Sequence, residues 1–138
     1  MKTLTLSLKK KWFDLIKSGE KKEEYREMSL YWKCRFLPNY NDYDLEHLIA
    51  HNSQNDNCYE RVTEELEHQH ILKHFDRLVF TLGYPKADDA ERRLTFKNPK
   101  IRIGTGRPEW GAEAGKQYFV ITWEEALVTE EQNIEARR

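Results

Sequence analysis

Cysteine is scarce in this chain, and so is every kind of long uniform run. Cys34 and Cys58 are the two cysteines in 138 residues; they have no metal-type spacing and build no disulfide framework, so free thiols in a reducing compartment are expected. Proline and glycine, four and six in number, form no low-complexity linker, and no internal repeat is found. No apolar segment approaches the roughly 20 residues of a membrane span. The N-terminus alternates polar and apolar residues where a signal peptide would carry an apolar stretch. These absences predict a soluble, cytoplasmic protein with no membrane partner.

A large net charge is lacking too. At a formal −1, no global basic field draws in a long duplex of nucleic acid, whose binding rests on many phosphate contacts. The local distribution is uneven. Residues 1–37 hold ten Lys and Arg against five Asp and Glu, whereas residues 38–76 hold two against nine. Apolar content is low at 38% and charge high at 34%, yet 12% aromatics argue against disorder. The length suits one domain, residues 1–138, with a small aromatic core beneath a very polar surface.

What the chain does have is alternation. Thr3 to Leu8 places Leu4, Leu6 and Leu8 on one face, which predicts a half-buried first strand. Leu8 to Lys17 reads as a short helix with Trp12, Leu15 and Ile16 inward, stopped by Gly19 in a left-handed cap. From Lys21 to Arg26 an extended strand would put Lys22, Glu24 and Arg26 on one face and Lys21, Glu23 and Tyr25 on the other. Leu30 to Leu37 predicts a second helix, N-capped by Ser29 and closed by Pro38. Tyr31 and Trp32 in it read as core or as ligand contacts.

Residues 39–74 are acidic and read as a helical insert outside the core. It has one helix over Tyr43 to His51 and a longer one over Tyr59 to His74, with Val62, Leu66 and Gln69 inward. Phe75 to Gly83 is the clearest buried strand. Glu91 to Asn98 alternates through Leu94 and Phe96, and beyond Pro99 come Ile101 and Ile103. Tyr118 to Trp123 is a last core strand, and a polar tail begins at about residue 130. The pattern predicts an α+β fold: a curved, barrel-like mixed sheet of five to six short strands with flanking helices.

Three constellations bear chemistry. In the first, Lys21 and Arg26 are suited to an anion, Lys as a point charge and Arg as a planar fork, while Glu24 accepts or donates a proton. The same stretch also reads as a solvated edge strand, or Glu24 and Arg26 as a plain ion pair. In the second, Gly104-Thr-Gly-Arg-Pro-Glu-Trp-Gly111, glycines let the backbone approach a ligand, and Arg107 and Trp110 stack on a base; the alternative is a tight loop with Trp110 folded on the core. The loop is no Gly-x-Gly-x-x-Gly, so no nucleotide cofactor is assigned. In the third, His47 and His51 lie at metal-clasping spacing with His68, His70 and His74 nearby. In so polar a stretch they are read as solvated, with no metal assigned. Tyr84, at a strand end, reads as a stacking platform or as a turn tyrosine on Pro85.

Gly19-x-Lys21-x-x-Glu24-x-Arg26 resembles the Gly-x-Lys-x-x-Glu-x-Arg signature of ASCH domains, a branch of the PUA-like superfamily, of bacterial or phage type. The flanking chain from Thr3 to Trp32 is similar as well, and the Gly104–Gly111 loop looks like the one before the last strand in phage-type members. The resemblance implies a PUA-like open β-barrel with the motif at the mouth of a cleft, and an RNA- or nucleotide-binding role for Lys21, Glu24, Arg26, Tyr84, Arg107 and Trp110. It also leaves open hydrolysis, as a ribonuclease or a modified-nucleoside amidohydrolase, with Lys21 and Glu24 as the acid/base pair. The amidohydrolase branch carries Thr where this chain has Glu24, so its hydroxyl nucleophile has no evident replacement here. A third role, protein binding, leans on the acidic residues 39–74.

Overall fold

The computed structural model describes residues 2–38, 42–69 and 71–124. The elements run β1 (Thr3–Leu8), α1 (Lys10–Lys17), β2 (Glu24–Glu27), α2 (Leu30–Phe36), α3 (Asp42–His51), α4 (Cys58–His68), β3 (Arg77–Leu82), β4 (Arg93–Thr105) and β5 (Gln117–Glu124), with short 3-10 turns at Ala90–Arg92 and Pro108–Trp110. The fold is α+β around one mixed sheet of five strands in the order β1-β3-β4-β5-β2, an open sheet with β1 and β2 at its edges. β1 runs parallel to β3, while β3 with β4 and β2 with β5 are antiparallel. The expected turn at residues 39–41, His70 and the tail from about 130 lie outside the described residues.

Contacts divide the chain into two compact units. The first draws its described residues from Met1–Glu23, His74–Lys100 and Thr122–Arg138. Its core follows from the period of two: the register sets Leu4 opposite Leu78, Leu6 opposite Phe80 and Leu8 opposite Leu82, and the side chains of Leu4, Leu6, Leu8, Leu78 and Phe80 are buried. Phe80, Phe96 and Trp123 form an aromatic cluster with ring centroids 5.0 to 6.0 Å apart. Helix α1 starts at Lys10 because Leu8 is still a strand residue; it buries Ile16 as expected together with Phe13, while Trp12 and Leu15, also expected inward, are half-buried.

β4 also differs from expectation. Glu91–Asn98 and Ile101–Ile103 were separable by Pro99 on propensity, yet one strand runs from Arg93 through Pro99 to Thr105, and Glu91 lies in the 3-10 turn before it. Asn98 absorbs the bend at φ 50°, a conformation asparagine tolerates better than most residues. Its backbone N–H still donates to the Asp76 carbonyl at 3.1 Å.

The second unit comprises Glu24–Lys73 and Ile101–Ile121. Here the acidic stretch departs most from its reading as a peripheral insert. Leu45, Val62 and Leu66 are all at or below 2% exposure, so its helices supply core. Acidic composition describes only their outer faces; the inner faces follow the helical period. Thr63 is buried as well, and its hydroxyl accepts a hydrogen bond from the Ile103 N–H at 3.0 Å, tying α4 to β4. α4 ends at His68, and Gln69, expected inward, is exposed.

Candidate functional site

Strand β2 is the piece from which the candidate site is built. It pairs with β5 so that Glu24 faces Ile121, Tyr25 faces Val120, Arg26 faces Phe119 and Glu27 faces Tyr118. Alternation then sorts the pair into two faces. Glu24, Arg26, Phe119 and Ile121 share one; Tyr25, Glu27, Tyr118 and Val120 share the other.

On the first face Glu24 is 6% exposed, and Arg26 Nη2 donates to its Oε2 at 2.7 Å. The Arg26 guanidinium lies 5.2 Å from the centre of the Trp32 ring, within cation–π range. The Arg35 guanidinium approaches the same ring at 5.9 Å. Trp32 in turn stacks on Phe36, 5.3 Å away and 21° from parallel, and Phe36 meets Phe119 edge-on at 5.1 Å. Helix α2 is thus pinned to this face by a fully buried Phe36. The Ser29 hydroxyl caps it as expected, accepting from the Trp32 N–H.

The other face belongs to the loop after β4. Tyr25 packs with Ala112, Tyr118 and Val120, and its hydroxyl oxygen accepts from the Arg107 N–H at 3.0 Å. A Cβ on Gly106 would lie 2.6 Å from the Tyr25 ring and 2.7 Å from Ala112 Cβ. This glycine therefore admits the chain's own tyrosine, which answers the expectation that loop glycines serve close approach to a ligand. Arg107 lies 4.8 Å over the Trp110 ring and 3.7 Å from Glu109. Arg107 and Trp110 are brought together, but through Tyr25's face, opposite the one that carries Arg26. At the rim of Tyr25's face Lys116 Nζ donates to Glu27 Oε1 at 2.9 Å, and that hydrogen bond raises the lysine pKa.

Lys21 lies in the first unit and outside β2, so strand alternation does not assign its side. Gly19, at φ 87°, reverses the chain at the end of α1, and the Lys21 N–H donates back to the Leu15 carbonyl at 3.0 Å. The side chain is 1% exposed, with its ammonium 4.3 Å from the Trp12 ring centre. Burying an ammonium costs several kcal/mol unless its hydration is replaced, and the ring face replaces part of it. Residues 21 and 24, two charges of the motif, are thus buried, which overturns the solvated-edge reading of the stretch.

Tyr84 is 96% exposed, so its ring is not packed on Pro85; it follows Gly83 in the first unit. His47 packs against Tyr43 with ring centroids 4.2 Å apart and the rings tilted by 57°. His51 and His68 line a cleft of about 610 Å³ together with Arg61, Glu64 and Glu65. Among the described residues no group of three or more His, Cys, Asp or Glu is placed to hold a metal ion. No described helix is long and apolar enough to cross a membrane. At the start of β1 and β3, Asp76 accepts from the Lys2 N–H at 2.8 Å, which lowers its carboxyl pKa.

Trp12 and Arg35 were missed as site residues, whereas Trp32 had been read as core or as a ligand contact. For Arg35 a signal existed: three residues from Trp32, it lies on the same helical stripe. For Trp12 there was none, because only the Gly19 reversal brings Lys21 back over it. No family model matches this chain, and no curated protein or solved structure matches it.

Proposed function

We propose that the chain is a cytoplasmic, PUA-like ASCH-type domain that binds RNA or a nucleotide, recognising a base or short single strand through the charged residues of its Gly-x-Lys-x-x-Glu-x-Arg motif. The barrel of that family is part of the proposal, as a curled form of the open five-stranded sheet. One observation carries it: Glu24 is buried at 6% exposure and ion-paired to Arg26 at 2.7 Å on an edge strand. Apolar residues of similar size stabilise such a position equally well or better, so stability alone does not account for the pair. The Arg26 fork is suited to a phosphate or an exocyclic oxygen, and Glu24 to accepting from a base edge. Lys21 supplies a second cation within the motif. Of the aromatic candidates, Trp32 shares a face with the pair and Trp110 does not, which favours Trp32.

The test is a titration of the full chain with short single-stranded RNAs and modified nucleosides, with products run by mass spectrometry. Wild type and Glu24→Gln should both bind saturably with no change of mass, because Gln still accepts a hydrogen bond. Lys21→Met and Arg26→Leu should bind more weakly while circular dichroism shows them folded. A mass change abolished by Lys21→Met and Glu24→Gln alike would make the protein a hydrolase. A folded wild type that binds none of these ligands sinks the reading.

A further inference from the structure

We propose that the outer side of α2 is a nucleic-acid subsite in which Tyr31 stacks one base of a single strand and Arg35 holds the neighbouring phosphate. This rests on the nucleotide-binding reading above and extends it to a surface beyond the Glu24–Arg26 pair. Tyr31 and Arg35 are four residues apart on a helix that ends at Phe36, so they lie on one stripe of it. Tyr31 is 62% exposed, and its ring is held edge-on to Trp32 at 4.8 Å and 85°. Trp32 is itself clamped by Phe36. The exposed ring is therefore braced, and a braced ring loses little freedom when a base stacks on it.

The charge beside it has a matching vacancy in its interactions. Arg26 is neutralised by Glu24, whereas among the described residues no carboxylate pairs with Arg35; its contact is the Trp32 ring at 5.9 Å. The acidic residues of β2 do not compete for it, since Glu24 is engaged by Arg26 and Glu27 by Lys116. Aromatic side chains beside arginine are what single strands use: the ring takes any base by its π-face, and the guanidinium takes the backbone. One ring and one cation suit a strand of a few nucleotides. A duplex hides its base faces and asks for many cations.

The experiment is fluorescence anisotropy of a labelled short mixed-sequence RNA against the full-length protein, at low and at physiological salt. Tyr31→Ala should weaken binding about tenfold and Tyr31→Phe should leave it unchanged, because stacking uses the ring and not the hydroxyl. Arg35→Gln should weaken binding and flatten the slope of log affinity against log salt by about 0.7, the loss of one phosphate contact on a single strand. Thermal melts of these surface variants should match wild type. Wild-type affinity in Tyr31→Ala and Arg35→Gln, together with loss in the double variant Glu24→Met with Arg26→Leu, would overturn the subsite and leave the broader reading standing. Equal weakening by Tyr31→Phe and Tyr31→Ala would overturn stacking. A wild type that binds no RNA overturns the subsite, and the broader reading falls with it only if modified nucleosides do not bind either.

Discussion

The two faces of the β2–β5 ribbon are built from the same few residues of backbone and hold their partners by different means. On Tyr25's face the contacts are apolar and close: a ring against Gly106 and Ala112, sealed by the hydrogen bond to the Arg107 N–H. On Glu24's face a buried ion pair lies beneath Trp32, and beyond it stand an exposed Tyr31 and an arginine, Arg35, that pairs with no carboxylate among the described residues. The first face accounts for its buried residues by packing and keeps its ion pair, Glu27 with Lys116, at the exposed rim. The second retains charge where packing would serve, which is the difference expected between a structural and a ligand-binding surface.

The largest effect should come from breaking the pair. Glu24→Ala leaves the guanidinium of Arg26, a side chain only 18% exposed, without its carboxylate, and urea unfolding should show a loss of about 3 kcal/mol. Glu24→Met with Arg26→Leu should recover most of that stability and abolish RNA binding. A loss below about 1 kcal/mol in Glu24→Ala would mean a solvated pair, and the contrast between the faces would collapse.

Next is Gly106→Ala, whose new methyl collides with Tyr25; overpacking of this kind costs about 1–3 kcal/mol. Adding Tyr25→Ala removes the ring and leaves the close approach to Ala112 Cβ, so the double variant should be more stable than the sum of the two losses allows but should not regain the full cost of the added methyl. RNA affinity should stay at the wild-type value, since the proposed binding residues lie on the other face. Smaller again is Tyr25→Phe, expected to cost about 1 kcal/mol by deleting the hydrogen bond from the Arg107 N–H. Its check is the urea midpoint, with an unchanged dependence on denaturant.

The smallest effect concerns Lys116. Its pKa is raised above 10.5 by Glu27, so the folded state holds the proton more tightly than the unfolded chain does. The stabilisation is therefore fully present below 10.5 and is lost as pH rises through the folded-state pKa. Wild type should exceed Lys116→Met in stability by a constant margin from neutral pH upward, and that margin should shrink only in the strongly alkaline range. Because both side chains reach solvent, the margin should also fall with added salt.

Much of this arrangement was legible in local pattern. The alternation from Thr3 to Leu8, the Ser29 cap, the positive φ of Gly19 and the last strand all depend on a few neighbouring residues. The misses come from partners far away in sequence. Strand β2 begins at Glu24 and not at Lys21 because only there does the chain meet Ile121 of β5. The role of Gly106 depends on Tyr25, on another strand, and no window of sequence joins the two. The acidic stretch misled because composition averages over a helix, whereas burial depends on which side of it Val62 and Leu66 project.

The parallel pairing of β1 with β3 carries a kinetic consequence. Lys2 bonds Asp76 across 74 positions, and the paired strands that follow keep that register. During synthesis β1 emerges well before β3, the strand it pairs with. Closing so long a loop is an entropic cost met before the contacts reward it, and such non-local pairing slows folding. Until then the Leu4, Leu6 and Leu8 stripe stays uncovered on the nascent chain, and the interval before β3 appears is when this protein is most open to aggregation or to capture by a chaperone.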